Sequence, residues 1–306
     1  MKDIIRFLKL YFREVNKPIL IFCTFFTAVL IWLNYHDGLE KYLVRKMNLP
    51  WPSFTGHLIL FLFAFLIPHA LLFFNKKKMK EAPAGLIACA VAAPAIFALK
   101  MAMNTELKLS AEDSWNSYWN HILYWPLRVG VLTLILLLAW KLYQPKESFY
   151  GMTIKRFNVR PYLWMLLIML PLIGVASMQP DFQSAYPKLN NILPLPQQAN
   201  PEGWYKALFE LSYGSDFFAI EIFFRGFLII GFMKWIGKDA ILPMACFYCT
   251  IHFGKPLGEC ISSYFGGLLL GIVSYHTRSI YGGLIVHLGI AWLMELGGYL
   301  GSLYQW

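Results

Sequence analysis

Long apolar blocks separated by short polar segments follow one another along the whole chain. A helix that spans a bilayer needs about 20 predominantly apolar residues to cover about 30 Å of hydrocarbon. Nine blocks approach this requirement, so the pattern predicts an all-α, polytopic integral membrane helix bundle with about eight or nine transmembrane helices. The predicted spans are Ile19–Leu33, His57–Phe74, Ala84–Met103, Ile122–Trp140, Tyr162–Met178, Trp204–Met233, Ala240–His252, Cys260–Ser274 and Ile280–Leu300. The seventh is short, and the sequence leaves open whether it crosses fully or inserts in part.

The composition agrees with a membrane protein and excludes an ordinary soluble domain. Hydrophobic residues make up 58% of the chain and charged residues 14%, whereas soluble domains carry about 25% charged residues. The net charge of +10 does not indicate a nucleic-acid partner, because the basic residues lie in short loops beside apolar blocks and form no basic face. We therefore expect the lipid bilayer, and no nucleic acid, among the partners.

The basic residues also predict the orientation of the chain. Cytoplasmic loops of membrane proteins carry an excess of Lys and Arg. Seventeen of these residues fall in the N-terminal tail and the loops on its side, against six in the opposite loops. This distribution predicts a multi-pass protein of the plasma (inner) membrane with its N-terminus in the cytoplasm.

A proline-rich segment, Gln179–Gly203, separates two regions that differ in polar content. We interpret the segment as irregular surface chain. The region 1–203 then contains about five accessory spans, and the region 204–306 contains a four-helix core. Nearly every polar residue of interest falls in that core.

Five ionisable residues lie within the last four predicted spans: Glu221, Arg225, His252, His287 and Glu295. Each costs at least about 2.5–3.5 kcal/mol in hydrocarbon, and such residues usually face the bundle interior and mark a site. Glu221 and Arg225 are four residues apart, so they share a helix face and can form a structural ion pair. The two histidines are either hydrogen-bonded structural residues or part of a functional site with Glu221.

Three short motifs carry these residues. They are Ile220-Glu221-Ile222-Phe223-Phe224-Arg225-Gly226, Tyr248-Cys249-Thr250-Ile251-His252 and His287-Leu288-Gly289-Ile290-Ala291. In order and spacing they resemble the motifs of the CPBP family, the CAAX-protease and bacteriocin-processing intramembrane endopeptidases. Those motifs are two adjacent glutamates, three residues and Arg; Phe, three residues and His; and His, three residues and Asn or Asp. The resemblance covers about Trp204 to Leu300.

The resemblance implies hydrolysis of a peptide bond in a membrane-associated peptide or protein. In the family, a glutamate and a histidine activate a water, and a second histidine with Asn stabilises the oxyanion. Carried over to this chain, it implies Glu221, His252 and His287 as catalytic residues, with Arg225 in support. A buried carboxylate can serve as a base, and donors directed at the oxyanion lower the barrier.

The chain departs from the family pattern at two positions. Ile220 stands where the first glutamate belongs, and Ala291 stands where Asn or Asp belongs. Asp216 lies four residues before Ile220 and Glu295 four residues after Ala291, so each shares a helix face with the position it would replace. Both are displaced about 5–6 Å towards the predicted outside. They are candidate supporting residues, although Asp216 also fits a helix cap.

Glu221, His252, His287 and Glu295 also make up a two-histidine, two-carboxylate set of the kind that binds zinc. No motif of the HExxH type places two ligands on one helix. A zinc cofactor and a metal-free site both stay open.

Three functions fit these residues. The first is an intramembrane endopeptidase, and the second is a non-catalytic relative that binds a membrane protein or peptide as an immunity or maturation factor. The third is a proton-coupled transporter, which ranks lowest because the chain shows no internal repeat.

The orientation can be tested by labelling an engineered cysteine in the third loop. We expect Ser110→Cys to react with an impermeant thiol reagent only from outside, because Glu106–Asp113 follows the third predicted span. Labelling in intact cells and in inverted vesicles measures this. Reaction from the cytoplasmic side alone would reverse the predicted topology.

Overall fold

The computed structural model of the protein describes residues 2–47, 49–74, 84–155, 157–191 and 203–304, and its regular elements are all helical within these ranges. The α-helices are α1 (Lys2–Glu14), α2 (Lys17–Asp37), α3 (Leu39–Lys41), α4 (Pro52–Phe74), α5 (Ala84–Ala102), α6 (Asp113–Tyr143), α7 (Arg160–Ala176), α8 (Pro180–Ala185), α9 (Gly203–Glu221), α10 (Met233–Ile236), α11 (Ile241–Thr250), α12 (Leu257–Thr277) and α13 (Tyr281–Tyr304). The predicted all-α fold is confirmed. The predicted loop at Lys76, Lys77, Lys78 and Lys80 lies outside the described residues.

Six of the described helices are long and apolar enough to cross a membrane: α2, α4, α5, α6, α12 and α13. Helix α7 is apolar but has only 17 residues. Helix α9 continues into a π-helix, Ile222–Gly231, and the two together cover nearly all of the predicted sixth span. The chain is therefore a multi-pass membrane protein by the length and composition of its helices.

The sequence explains where the first span begins and ends. Asn16 caps α2 because its side chain accepts a hydrogen bond from the backbone N–H of Ile19 at 3.3 Å. Gly38 ends the helix with a φ of +69°, and its N–H donates to the carbonyl of Asn34 at 3.0 Å. Asn before a helix and Gly after it are typical start and stop signals.

The described chain divides into two compact units that interleave along the sequence. Unit 1 contains residues 1–102, 134–157 and 222–282, and unit 2 contains residues 103–133, 158–221 and 283–306. The units do not follow the predicted boundary between residues 203 and 204. That boundary separates regions by polar content, and the functional division it implies stays a prediction.

Helix α11 forms the centre of unit 1. All ten of its residues are buried, and it packs against α2, α4, α12 and the π-helix. Ten residues extend about 15 Å, half of the hydrocarbon thickness. The predicted seventh span is thus a short helix enclosed by protein, because neighbouring helices replace the lipid it would otherwise contact.

Aromatic rings fill the space around α11. Phe247 lies with its ring centroid 4.8 Å from that of Phe61 and 5.2 Å from that of Phe224. Phe97 lies 4.8 Å from Phe223. Such ring pairs contribute about 0.5–1.5 kcal/mol each beyond the area they bury. They fix α4, α5, α11 and the π-helix against one another.

The π-helix is a feature that the apolar pattern did not predict. It packs against the short 3₁₀ turn Phe149–Gly151, and a Cβ added at Gly226 would lie 2.8 Å from the carbonyl oxygen of Tyr150. Gln144 Nε2 donates to the carbonyl of Gly231 at 2.6 Å, which satisfies a buried group at the end of the element. Wide turns of this kind are rare and often occur near functional sites.

In unit 1, the segments that the Lys and Arg counts assign to one side of the membrane contact one another. Lys238 Nζ donates to Glu14 at 2.6 Å, and Phe7 stacks on His276 at 4.6 Å. The hydrogen bond and charge of Lys238 hold the pKa of the exposed Glu14 carboxyl below its usual range. At the other end, the Tyr35 hydroxyl donates to the carbonyl of Lys255. Both groupings agree with the predicted alternation of loops.

Unit 2 brings α9 and α13 close together. A Cβ added at Gly214 of α9 would meet Leu288 at 3.2 Å, and one added at Gly289 of α13 would meet Leu166 of α7 at 2.7 Å. The Ser212 hydroxyl donates to the carbonyl of Ile122 in α6 at 2.6 Å. Small residues at such contacts allow helix backbones to approach.

The segment predicted as irregular chain, Gln179–Gly203, contains regular structure. It includes α8 and a 3₁₀ turn, Lys188–Asn191. Phe182 and Tyr186 are buried with Ile173 of α7 in a small apolar cluster. This packing explains the difference, because prolines are tolerated in the first turn of a helix. Residues 192–202 lie outside the described ranges.

The contact between the π-helix and Tyr150 can be tested with Gly226→Ala. We expect a lower thermal stability of the purified chain, because the new Cβ meets backbone that cannot move aside, and overpacking costs about 1–3 kcal/mol. Gly266→Ala in α12 is the matched control, since nothing lies within 4 Å of a Cβ there. Equal melting temperatures for the two variants would contradict the close contact.

Candidate active site

Glu221 and His287 form a buried pair in unit 2. Glu221 is the last residue of α9 and has no exposed surface, and His287 lies in the second turn of α13. His287 Nδ1 donates to Glu221 Oε1 at 3.1 Å, and the imidazole is 12% exposed. Two residues from separate motifs, 66 positions apart, are therefore in direct contact.

A glycine makes room for the carboxylate. A Cβ added at Gly283 would lie 2.1 Å from Glu221 Oε2, far inside any contact distance. Gly283 precedes His287 by four residues, so both face α9 from consecutive turns of α13. Sequence reasoning missed this residue. The signal that could have found it is the Gly282-Gly283 pair one turn before the third motif.

The pair also fixes the orientation and tautomer of the imidazole. Phe217, one turn before Glu221 on α9, packs its ring against His287 in an edge-on arrangement with centroids 4.7 Å apart. A carboxylate can only accept, so its hydrogen bond places a proton on His287 Nδ1 and leaves Nε2 as the basic nitrogen of the neutral ring. The arrangement can accept a proton from a water at Nε2 and stabilise the resulting imidazolium.

His252 lies in unit 1, in the turn that follows α11 rather than inside a helix. Its Nδ1 donates to the carbonyl of Tyr248 at 3.1 Å, and its ring packs on the Tyr248 ring at 4.8 Å. The prediction that it shares a pocket with Glu221 and His287 stays a prediction.

Arg225 is fully buried in the π-helix, and its guanidinium lies 4.2 Å over the ring of Tyr248. A buried cation over an aromatic face contributes about 2 kcal/mol. Tyr248, the position at which the family carries Phe, thus contacts both Arg225 and His252. The predicted ion pair between Arg225 and Glu221 stays a prediction.

The two candidate supporting carboxylates have identifiable surroundings in unit 2. Glu295 is buried, and its Oε2 accepts the backbone N–H of Lys188 at 2.8 Å, which anchors the start of a 3₁₀ turn. Asp216 is half-buried on α9 and interacts electrostatically with Arg128 of α6. Ile220 and Ala291 are both buried. Each carboxylate therefore has a structural role, and its function as a replacement stays a prediction.

A structural zinc site needs four protein ligands and a catalytic one usually three. Within the part of the chain that the structure describes, no group of three or more His, Cys, Asp or Glu side chains is placed to hold a metal ion. The predicted zinc set of Glu221, His252, His287 and Glu295 draws residues from both units and stays a prediction.

These features define a class of protein: a polytopic helical membrane protein with a carboxylate–histidine pair buried between two of its apolar helices. Residues 212–293 match the family model described as Type II CAAX prenyl endopeptidase Rce1-like. The matched region makes up about a quarter of the chain and carries the three motifs, so it is similar to the CAAX-protease family that those motifs predicted. The match includes Glu221, His252 and His287 and ends two residues before Glu295. No curated protein and no solved structure matches the chain.

Proposed function

We propose that this protein is an intramembrane endopeptidase of the CPBP type that hydrolyses a peptide bond in a membrane-associated peptide or protein. The hydrogen bond between Glu221 and His287 carries the proposal. A fully buried carboxylate costs folding free energy in an apolar bundle. Pairs of this kind usually belong to a catalytic or binding site. The match to a protease family supports hydrolysis as the reaction class.

In the proposed reaction, His287 Nε2 takes a proton from water as the water oxygen attacks the scissile carbonyl carbon. Glu221 stabilises the imidazolium that forms, because its Oε1 already accepts the Nδ1 proton. The tetrahedral intermediate then collapses, the C–N bond breaks, and the imidazolium returns its proton to the leaving amine. General acid–base catalysis of this kind contributes about 10²–10⁴-fold in rate.

His252 is the proposed second histidine of the site and would stabilise the oxyanion. Its Nδ1 proton is directed at the carbonyl of Tyr248. It can therefore donate from Nε2 only as an imidazolium, which would also place a positive charge beside the oxyanion. Zinc bound by Glu221, His252, His287 and Glu295 remains the alternative source of such stabilisation.

We further propose that the protein lies in the plasma (inner) membrane with its N-terminus in the cytoplasm, as the seventeen basic residues on one side favour. His252 then lies towards the outer face, because the turn that carries it is followed by the loop at Lys255, which contacts the end of α2.

The role of Glu221 in keeping His287 Nε2 basic can be tested with Glu221→Gln in a cleavage assay of the full chain in vesicles. We expect a loss of about 10²–10⁴-fold, because the amide NH₂ of Gln would donate to Nδ1 and move the imidazole proton to Nε2. His287→Ala should lose as much. Full activity of Glu221→Gln at normal abundance would rule out this mechanism.

Gly283→Ala provides a second probe of the same pair that leaves both side chains intact. The added methyl displaces the Glu221 carboxylate, so we expect a large loss of cleavage although Ala favours the helix by about 1 kcal/mol. Gly130→Ala in α6 is the matched control, because nothing lies within 4 Å of a Cβ there. Equal activity of the two variants would show that the carboxylate position is unimportant.

The second candidate is a non-catalytic relative that binds a membrane protein or peptide. Ile220 and Ala291 favour it, because both are buried and cannot supply a base or a donor. We expect the wild-type chain to cleave without help from these positions. Absence of wild-type cleavage, together with new proteolysis in the double variant Ile220→Glu and Ala291→Asn, would favour the binding protein instead.

A further inference from the structure

Helix α1 separates its charged and apolar residues on different faces. Lys2, Arg6, Lys9 and Arg13 recur at spacings of four, three and four residues, so they form one stripe along the helix. All four are exposed. With Ile5 and Leu10 they line a surface groove of about 290 Å³. The stripe stays basic, because Asp3 forms only an exposed pair with Arg6 at 3.2 Å, and Glu14, next to Arg13, is bound by Lys238.

The opposite face fixes α1 to the rest of unit 1. Ile4 and Tyr11 are buried, and the helix packs against α12. Phe7 stacks on His276 with ring planes 11° apart, and Glu14 accepts from Lys238 at 2.6 Å. Helix α1 is therefore a docked element whose basic stripe faces away from the protein.

The chain places α1 at the surface of the membrane. Helix α1 ends at Glu14, and α2, an apolar helix long enough to span the bilayer, begins at Lys17. Two connecting residues extend at most about 10 Å. Ile5 and Phe12, on the edge beside the basic stripe, are 45% and 38% exposed. An interfacial helix combines such an apolar edge with a basic face.

We propose that the basic stripe of α1 (Lys2, Arg6, Lys9 and Arg13) binds the anionic phospholipid headgroups of the adjacent leaflet, with Ile5 and Phe12 inserted among the acyl chains. The exposed apolar edge favours lipid over an acidic peptide or nucleic acid, which would leave that edge in water. Each Lys or Arg near an anionic leaflet strengthens binding about fivefold. Loss of all four basic residues should therefore weaken the binding of α1 to the anionic leaflet several hundredfold. The inference does not depend on the proposed protease activity.

The test is hydrogen exchange of the α1 backbone amides in the full chain, reconstituted in nanodiscs of phosphatidylcholine with or without about one-third phosphatidylglycerol. We expect exchange in residues 2–14 to slow at least about fivefold in the anionic nanodiscs. The protection should disappear at about 0.5 M salt, where charges are screened beyond about 4 Å. Equal exchange of the wild-type chain in both nanodiscs would overturn the proposal.

Two variants with the same loss of charge give the control. The stripe variant Lys2→Gln, Arg6→Gln, Lys9→Gln and Arg13→Gln should lose the protection. The variant Lys41→Gln, Arg45→Gln, Lys46→Gln and Lys108→Gln, exposed residues of the opposite loops, should keep it. Protection that persists in the stripe variant, or that is lost equally in both, would contradict the proposal. Inorganic phosphate added to neutral nanodiscs should have no effect, and protection by phosphate alone would overturn the assignment to lipid.

Discussion

A carboxylate that has lost all contact with water must be stabilised by the protein around it, and Glu221 imposes this requirement on unit 2. Burying an ionised group without a partner costs far more than the few kcal/mol that hold a domain together. His287 supplies a proton donor at 3.1 Å, and Gly283 supplies space. Both lie on α13, so the carboxylate is tolerated only where α9 and α13 are held close and in register. The small residues along these helices allow that distance.

The first motif combines chemistry with architecture within six residues. Glu221 contacts the histidine of the third motif, Arg225 lies over Tyr248 of the second motif, and Gly226 admits the backbone of Tyr150. Each position thus has its own physical reason for its residue type. This also explains how a chain can keep Arg and Gly for packing while Ile replaces the first glutamate at position 220.

The all-α fold and its long apolar helices could be predicted from the sequence, because a span is determined by its own run of apolar residues. The sequence could not predict the π-helix at Ile222–Gly231, since the hydrogen-bond register there follows from packing against Tyr150. The role of Gly283 was hidden for a similar reason: a missing Cβ matters only once another helix faces it. The pairing of Glu221 with His287 was expected from the motifs, whereas the turn that holds His252 depends on how α11 ends.

The brevity of α11 has a consequence for how the chain enters the membrane during synthesis. Ten residues are too few to be stable in lipid as an independent span, and only six residues separate α11 from α12. We therefore expect the two helices to insert together as a hairpin. Helix α11 would then enter the membrane only after α12 has left the ribosome. A substitution that delays insertion of α12 would leave α11 without one of the four elements it packs against, and would reduce the amount of protein in the membrane rather than its specific activity.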